Sequence, residues 1–265
     1  MSARRGLEGG VARRAILFDL FDTLVCLDRS RLPEVHVNGR TIRSTGGRLH
    51  EVFRPFAPGV ELGEFVAALL WSWQEAERLR NVNHREVPAP ERFALLFRRL
   101  GLEPSMLAPE AVKMLLLTHM KELSRAVVVP AHHGPMLREL RGRYRLAVVS
   151  NFDYTPTAHY ILEREGIADV FETIIVSDEI GWRKPEPVIF ETALRRLRVE
   201  AAEALFVGDR ADIDVAGAQG VGMAAVWINR DGVELPDDAP APEFEIRDLR
   251  ELAEILRIQD GPAWI

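Results

Sequence analysis

Four short polar segments occur along the chain in an order that fits one reaction site. They occupy residues 19–23 (DLFDT), 150–151 (SN), 184–187 (KPEP) and 208–214 (GDRADID). Each segment ends an apolar run or lies in a turn beyond one. An aspartate can act as a nucleophile, a hydroxyl and an amide can bind an anionic group, and an ammonium can neutralise its charge. The set therefore predicts a site that displaces an anionic group from a small molecule.

Two aspartates at predicted strand ends, Asp19 and Asp209, indicate a bound cation. Carboxylates at neighbouring strand ends repel each other unless a cation lies between them, and oxygen ligands suit Mg²⁺. Asp212 and Asp214 either join this cluster or cap the helix that follows. We favour Asp214 for the cluster and Asp212 for the helix cap.

Lysine at position 184 is unusual, because the chain uses arginine for almost all of its cations. Only Lys113, Lys121 and Lys184 are lysines, so arginine supplies 31 of the 34 basic residues. Lysine offers a compact point charge where arginine offers a planar fork, and we interpret Lys184 as a chemical requirement of the site. Ser150 and Asn151 are interpreted as donors to a bound tetrahedral anion.

The elements that must position these segments alternate between strands and helices. Five apolar runs predict strands that are buried on both faces, at residues 15–18, 146–149, 173–177, 204–207 and 224–228. Helical patterns follow the later strands and precede the second one, at residues 135–141, 157–165, 187–197, 214–220 and 249–258. This alternation predicts an α/β fold with a parallel sheet covered on both faces. Ligands of such sheets bind beyond the carboxyl ends of the strands, where the polar segments lie.

The long stretch between the first two strands breaks this alternation and is predicted to be an insert. Asn38 and Gly39, between alternating residues, predict a β-hairpin over residues 35–42. Three amphipathic helices are predicted after it, at residues 61–80, 90–100 and 109–125.

The predicted organisation is therefore a core of residues 1–27 and 129–265, with a mostly helical insert at residues 28–128 that carries a small β-hairpin. Trp71 and Trp73 are expected in the interior of that insert. Their alternative position is against the crevice, where they would contribute to selectivity.

Bulk composition excludes several classes of partner. A net charge of −6 argues against a general nucleic-acid surface and provides no attraction to an anionic membrane. No run approaches the roughly 20 apolar residues of a membrane span. Cys26 is the only cysteine, so no internal disulfide can form and a cytoplasmic location is expected. Residues 1–14 are expected to form a frayed tail. The expected partner is a small anionic molecule, and no pattern indicates an oligomeric state.

The four segments together resemble the motifs of the haloacid dehalogenase-like (HAD) hydrolase superfamily, over residues 15–27 and 130–258. The resemblance implies a Rossmann-like three-layer core, and the insert corresponds to that superfamily's first-position cap. It implies a phosphohydrolase in which Asp19 attacks a phosphoryl group and water hydrolyses the covalent aspartyl intermediate. The implied site residues are Asp19, the backbone carbonyl of Phe21, Asp209 and Asp214 for Mg²⁺, Ser150, Asn151 and Thr23 around the transferring group, and Lys184 for charge neutralisation.

One position departs from the superfamily's phosphatases, which carry a second aspartate two residues after the nucleophile as the general acid and base. Phe21 stands there in this chain. Asp22 lies one residue further along, where its side chain is expected to point in a different direction.

This departure keeps other functions open. An L-2-haloacid dehalogenase also lacks the second aspartate, although its fourth motif is not acidic. A phosphonatase would need a lysine in the cap, and Lys113 and Lys121 have the spacing of a solvated helix face. A binding or regulatory protein with little turnover is the third alternative. The acidic segment 208–214 favours the Mg²⁺-dependent phosphohydrolase.

Overall fold

A computed structural model of the chain describes residues 12–260, and the side chains of all of these except residues 106 and 257–260. The strands are Ala15–Phe18 (β1), Cys26–Leu27 (β2), Glu34–Val37 (β3), Arg40–Arg43 (β4), Val127–Val128 (β5), Arg145–Ser150 (β6), Thr173–Val176 (β7), Ala204–Gly208 (β8), Ala224–Ile228 (β9) and Phe244–Ile246 (β10). The helices are Gly46–Phe53 (α1), Leu62–Asn83 (α2), Ala89–Arg99 (α3), Pro109–Arg125 (α4), His133–Arg141 (α5), Thr155–Arg164 (α6), Ser177–Ile180 (α7), Pro187–Leu197 (α8), Ala216–Gly220 (α9) and Leu252–Asp260 (α10).

Six of these strands form one parallel sheet in the order β10-β9-β8-β1-β6-β7. Alternate residues of β1 enter different hydrophobic clusters, with Ile16 and Phe18 in one and Leu17 in the other. Helices therefore cover both faces of the sheet, and the predicted α/β, Rossmann-like three-layer fold is confirmed.

The register of the three central strands determines where the site forms. Phe18, the last residue of β1, pairs with Val148 on one side and Val207 on the other. The Asp19 N–H donates to the carbonyl of Val207 at 2.9 Å. The residues that follow β1, β6 and β8 consequently emerge at the same edge of the sheet.

The five predicted strands are present, and β10 was missed. This three-residue strand pairs only with β9 at the edge of the sheet, so it lacks the long apolar run of a central strand. Ser177 opens α7 and does not extend β7. The predicted frayed tail falls mostly on residues 1–11, which lie outside the described residues. Arg14 contradicts that prediction, because it forms an ion pair with Glu203 at 3.0 Å.

Four helices, α1 to α4, pack around a hydrophobic cluster of their own between β2 and β5. Phenylalanine rings pack against one another in this cluster. The ring centroid of Phe53 lies 5.4 Å from that of Phe65 and 5.6 Å from that of Phe97. The predicted hairpin is present as β3 and β4. Helix α1 was not predicted, since it opens on two glycines, the weakest helix formers after proline. Gly46 is required there because a Cβ would lie 2.9 Å from Val66 on α2.

Buried ion pairs join the helical insert to the sheet. Glu86, between α2 and α3, has a side chain with no solvent exposure. Its carboxylate lies 2.9 Å from Nε of Arg80 and 2.8 Å from Nη1 of Arg183, and it accepts a hydrogen bond from Ser177. Arg183 precedes Lys184, so this carboxylate connects the insert to the loop that carries the lysine.

We expect Glu86→Ala to lower the free energy of unfolding by about 3 kcal/mol, because removing one partner leaves buried charges without compensation. Urea denaturation with linear extrapolation measures this loss. Glu51→Ala is the matched control, since Glu51 pairs with Arg48 in an exposed ion pair of α1 and its loss should change stability little. Equal stability of the two variants would contradict the structural role of Glu86.

Candidate active site

A cavity of about 200 Å³ opens at the carboxyl ends of β1, β6 and β8. Residues from all four polar segments line it. They are Asp19, Phe21, Asp22, Asn151, Arg183, Lys184, Asp209, Arg210, Ile213 and Asp214.

Lys184 lies at the centre of the site with almost no solvent exposure. Its Nζ is 2.5 Å from Oδ1 of Asp19 and 2.8 Å from Oδ1 of Asp214. Burial alone would lower the pKa of Lys184, but the two carboxylates outweigh it and raise that pKa. The lysine is therefore held as an ammonium between two aspartates.

The aspartates carry more negative charge than Lys184 can balance. Burial raises the pKa of Asp19 to about 6, with Asp214 adding to the increase and Lys184 opposing it. Burial followed by repulsion from Asp19 and Asp214 raises the pKa of Asp209 to about 8. One ligand oxygen from each of Asp19, Asp209 and Asp214 falls within 4.8 Å of the others. This donor set of hard oxygens with excess negative charge fits a divalent cation such as Mg²⁺.

Asp214 is held more tightly than the other two aspartates. Its Oδ2 accepts the backbone N–H of Arg210 at 3.0 Å, while Oδ1 contacts Lys184. Gly208 makes this approach possible, because a Cβ there would lie 2.3 Å from Asp214 Oδ2. Asp212, in contrast, is exposed and pairs with the guanidinium of Arg210 at 2.7 Å. The interpretation of Asp212 as a helix cap was wrong, since Asp212 lies within the turn Ala211–Val215, and the N-cap residues of this turn and of α9 are Arg210 and Val215.

The predicted anion-binding residues differ in how they reach the site. The amide of Asn151 donates to the Lys184 carbonyl at 3.0 Å and accepts the Lys184 N–H at 2.7 Å, so this side chain positions the lysine loop. Ser150 and Thr23 are buried and do not line the cavity. Within residues 12–260, the hydroxyl oxygen of each has no hydrogen-bond partner.

Phe21 lines the cavity, and its ring packs against Phe152 with 4.9 Å between centroids. Asp22 has a left-handed backbone (φ 57°) and lines the same cavity, close enough to contribute to the raised pKa of Asp209. The sequence-based expectation that Asp22 points elsewhere overlooked this conformation. With this backbone, the consecutive residues Phe21 and Asp22 line one opening.

A second cavity, of about 260 Å³, lies between the insert and the sheet. It shares Asn151 and Arg183 with the first cavity, so the two are neighbours. Trp73 lines it with 56% of its surface exposed, which contradicts its predicted place in the interior of the insert. The other lining residues are Glu77, Arg80, Arg92, His119, Met120, Leu123, Phe152 and Asp153. None of these was singled out from the sequence, because helical spacing alone does not show which face meets the sheet.

Among the described residues, none of the helices combines the length and the apolar character needed to cross a membrane.

Comparison with known proteins gives consistent matches. A family model described as haloacid dehalogenase-like hydrolase matches residues 13–222. The glyceraldehyde 3-phosphate phosphatase of Methanopyrus kandleri is 32% identical over 249 residues, which cover 92% of this chain and 97% of that protein. The phosphoserine phosphatase of Thermus thermophilus is 31% identical over 257 residues, with coverage of 92% and 100%. The crystal structure of a 2-haloacid dehalogenase from Pseudomonas syringae pv. tomato is 25% identical, with a TM-score of 0.68 and coverage of 93% and 99%.

Proposed function

Because the chain belongs to the haloacid dehalogenase-like hydrolase family, we propose that it is a Mg²⁺-dependent phosphohydrolase of small phosphorylated metabolites. The observation that carries the proposal is the contact of buried Lys184 with Asp19 inside a cluster of three aspartates. Relatives named for glyceraldehyde 3-phosphate and for phosphoserine support small phosphate esters as substrates.

Asp19 is the nucleophile of the proposed reaction. A carboxylate oxygen attacks phosphorus, the bond from phosphorus to the leaving-group oxygen breaks, and an aspartyl phosphate forms. A water oxygen then attacks the same phosphorus, which releases inorganic phosphate and restores the Asp19 carboxylate. Lys184 contacts Oδ1 of Asp19 at 2.5 Å, which fixes the orientation of the nucleophilic carboxylate.

Lys184 also offsets the charge that accumulates when an anionic substrate meets an anionic nucleophile. The Ser150 hydroxyl and the backbone N–H of Asn151 are the proposed donors to the phosphoryl oxygens. Ser150 supports this role, because its hydroxyl is buried at the end of β6 with no partner in the described part of the chain. Among the described residues, the hydroxyl of Thr23 at the end of the first segment likewise has no hydrogen-bond partner.

The metal ion would be held by Asp19, Asp209 and the backbone carbonyl of Phe21. Asp214 would add its negative charge to this ligand set. Bound Mg²⁺ would neutralise phosphoryl charge and orient the group for attack. The raised pKa values of Asp19 and Asp209 support a cation there, since a nearby positive charge favours the ionised carboxylates.

The insert at residues 28–128 is the proposed cap of this site, and residues 1–27 and 129–265 form the proposed catalytic core. Two features support this division. The insert has its own hydrophobic cluster, and the chain enters and leaves it through the paired strands β2 and β5. The second cavity between the insert and the sheet adjoins the site of attack.

An L-2-haloacid dehalogenase is the second candidate. Phe21 favours it, because no carboxylate is available at that position to protonate an ester oxygen. The acidic cluster argues against it, since a displaced halide needs neither a proton nor a metal ion.

Metal dependence separates the two candidates. We expect hydrolysis of p-nitrophenyl phosphate with Mg²⁺ and a loss of at least about tenfold with EDTA. We also expect Mg²⁺ to stabilise the fold, by about 2.7 kcal/mol at a concentration of 100 Kd, which thermal melting detects. Turnover of 2-chloropropionate in EDTA, without phosphate hydrolysis, would instead establish the dehalogenase.

Two variants locate the metal effect. Asp209→Asn should abolish the Mg²⁺-dependent rise in melting temperature, because the amide is a weaker ligand than the carboxylate. Asp212→Asn should retain that rise, since Asp212 is exposed and pairs with Arg210. An equal loss in both variants would contradict the proposed ligand set.

A further inference from the structure

The cavity between the insert and the sheet has the position of a leaving-group pocket. It adjoins the site of attack through Asn151 and Arg183. Its volume of about 260 Å³ lies just below the usual range of small-molecule sites, roughly 300–1,000 Å³. A group of a few carbon atoms fits this volume. Trp73, Met120 and Phe152 supply apolar parts of the wall.

Arg92, on α3, brings unused donors to this cavity. The residue is only 3% exposed, and its Nε donates to Oδ2 of Asp153 at 2.8 Å. Within residues 12–260, Nη1 and Nη2 of Arg92 donate no hydrogen bond to another residue, since the ion pair with Asp153 uses Nε alone. With Nε engaged, the free edge of the guanidinium is the one formed by the two Nη groups. That edge matches the two oxygens of a carboxylate.

Arg80, the neighbouring buried guanidinium, has no comparable free edge. It contacts the carboxylates of Glu77 and Glu86 and donates to the carbonyl of Val87 at 2.8 Å. The two arginines therefore differ in the atoms that protein groups engage. All three guanidinium nitrogens of Arg80 contact protein oxygens, whereas only Nε of Arg92 does so.

The same cavity also carries hydrogen-bond acceptors. Asp153 and Glu77 each contribute a carboxylate. His119 is neutral, because burial followed by repulsion from Arg92 lowers its pKa to about 3. A ligand with a carboxylate and an adjacent donor satisfies both parts of this lining.

We propose that this cavity binds the leaving group of the substrate, and that the Nη edge of Arg92 binds a carboxylate on it. The substrate class is then a phosphate monoester of a small carboxylic acid that carries a hydroxyl or an ammonium beside the carboxylate. This inference rests on the proposed phosphohydrolase function and adds the chemistry of the leaving group.

Three phosphate esters test the inference, because they share the same primary C–O–P linkage. 3-Phosphoglycerate and O-phosphoserine carry a carboxylate, while glycerol 3-phosphate has a hydroxymethyl group in its place. We expect kcat/KM for both carboxylates to exceed that for glycerol 3-phosphate by at least about tenfold, since a site built for a polar group discriminates against the analogue that lacks it.

Arg92→Lys tests the role of the guanidinium. The ammonium keeps the positive charge beside Asp153 but lacks the planar fork, so the preference for carboxylates should fall by about tenfold, mainly through KM. Arg98→Lys is the matched control on the same helix, where the side chain is exposed, and it should keep the wild-type preference. Thermal melting verifies that each variant is folded. The double variant Arg92→Gln/Asp153→Asn, which removes both charges of the ion pair, provides a second test if Arg92→Lys is unstable.

The outcomes separate this inference from the proposed function. Hydrolysis of all three esters with equal kcat/KM, or an unchanged preference in folded Arg92 variants, would overturn the inference alone. Failure to hydrolyse any of them, or p-nitrophenyl phosphate, in the presence of Mg²⁺ would overturn the proposed function and the inference with it.

Discussion

Replacing Asp19 with asparagine is expected to reduce the hydrolysis of phosphate esters by at least about a thousandfold, because an amide is a poor nucleophile. The amide is also a weaker ligand for a divalent cation, so the same change weakens the proposed metal site. Steady-state rates with p-nitrophenyl phosphate measure the loss. Mass spectrometry of acid-quenched wild-type enzyme should show one phosphoryl group on the peptide that contains Asp19, and the variant should show none.

The fold should survive this substitution. Asp19 is buried, and burial together with Asp214 disfavours its charge. Asparagine has nearly the same shape and removes one member of a mutually repelling cluster, so the melting temperature in metal-free buffer should not fall. Asp169→Asn is the matched control, because it makes the same aspartate-to-asparagine change at an exposed position that does not line the catalytic cavity. Activity above a tenth of wild type in the Asp19 variant would remove Asp19 from the role of nucleophile.

The prediction of the sheet succeeded because its strands are short, apolar and buried on both faces. That pattern needs no tertiary information, and the end of each run marks the edge where ligands bind. The positions of Asp19 and Asp209 at the ends of two such runs were therefore enough to predict that they lie near each other. The choice of Asp214 over Asp212 for the cluster rested on a weaker preference. In the folded chain Asp214 lies against Lys184, and Asp212 lies at the surface.

The contacts that sequence reasoning missed are those between distant parts of the chain. Arg92 and Asp153 are 61 residues apart, and Glu86 and Ser177 are 91 residues apart. Each pair depends on how the insert is oriented on the sheet, which no local periodicity specifies. Trp73 illustrates the same limit, because helical spacing identifies a face of α2 without showing whether the face is covered.

Phe21 is the position where an added group is expected to increase activity. General acid catalysis typically contributes about 10²–10⁴-fold to a proton transfer. With phenylalanine at this position, the proposed enzyme should be slow on alkyl phosphates, whose leaving oxygens need a proton. It should be faster on aryl phosphates, which leave as stabilised anions.

We therefore expect Phe21→Asp to accelerate alkyl phosphates more than aryl phosphates, with a change in their ratio of about 10²-fold or more. Phe21 lines the catalytic cavity, so the substitution places a carboxylic acid at the edge of the site. Loss of packing against Phe152 should slow both substrates equally, and the ratio of rates is insensitive to it. Rates with glycerol 3-phosphate and p-nitrophenyl phosphate, for wild type and variant, provide this ratio.

Asp22→Asn is the necessary companion variant, because Asp22 lines the same cavity one residue further along. If Asp22 already supplies the proton in the wild type, its replacement should slow glycerol 3-phosphate selectively, and Phe21→Asp should then add little. If it does not, Asp22→Asn should leave the ratio of the two rates as it is, and Phe21→Asp alone should shift it. An equal loss on both substrates in Phe21→Asp, with no selective effect in Asp22→Asn, would mean that proton donation does not limit this reaction. The phenylalanine would then belong to a site adapted to leaving groups that depart without a proton, which is the condition that a 2-haloacid satisfies.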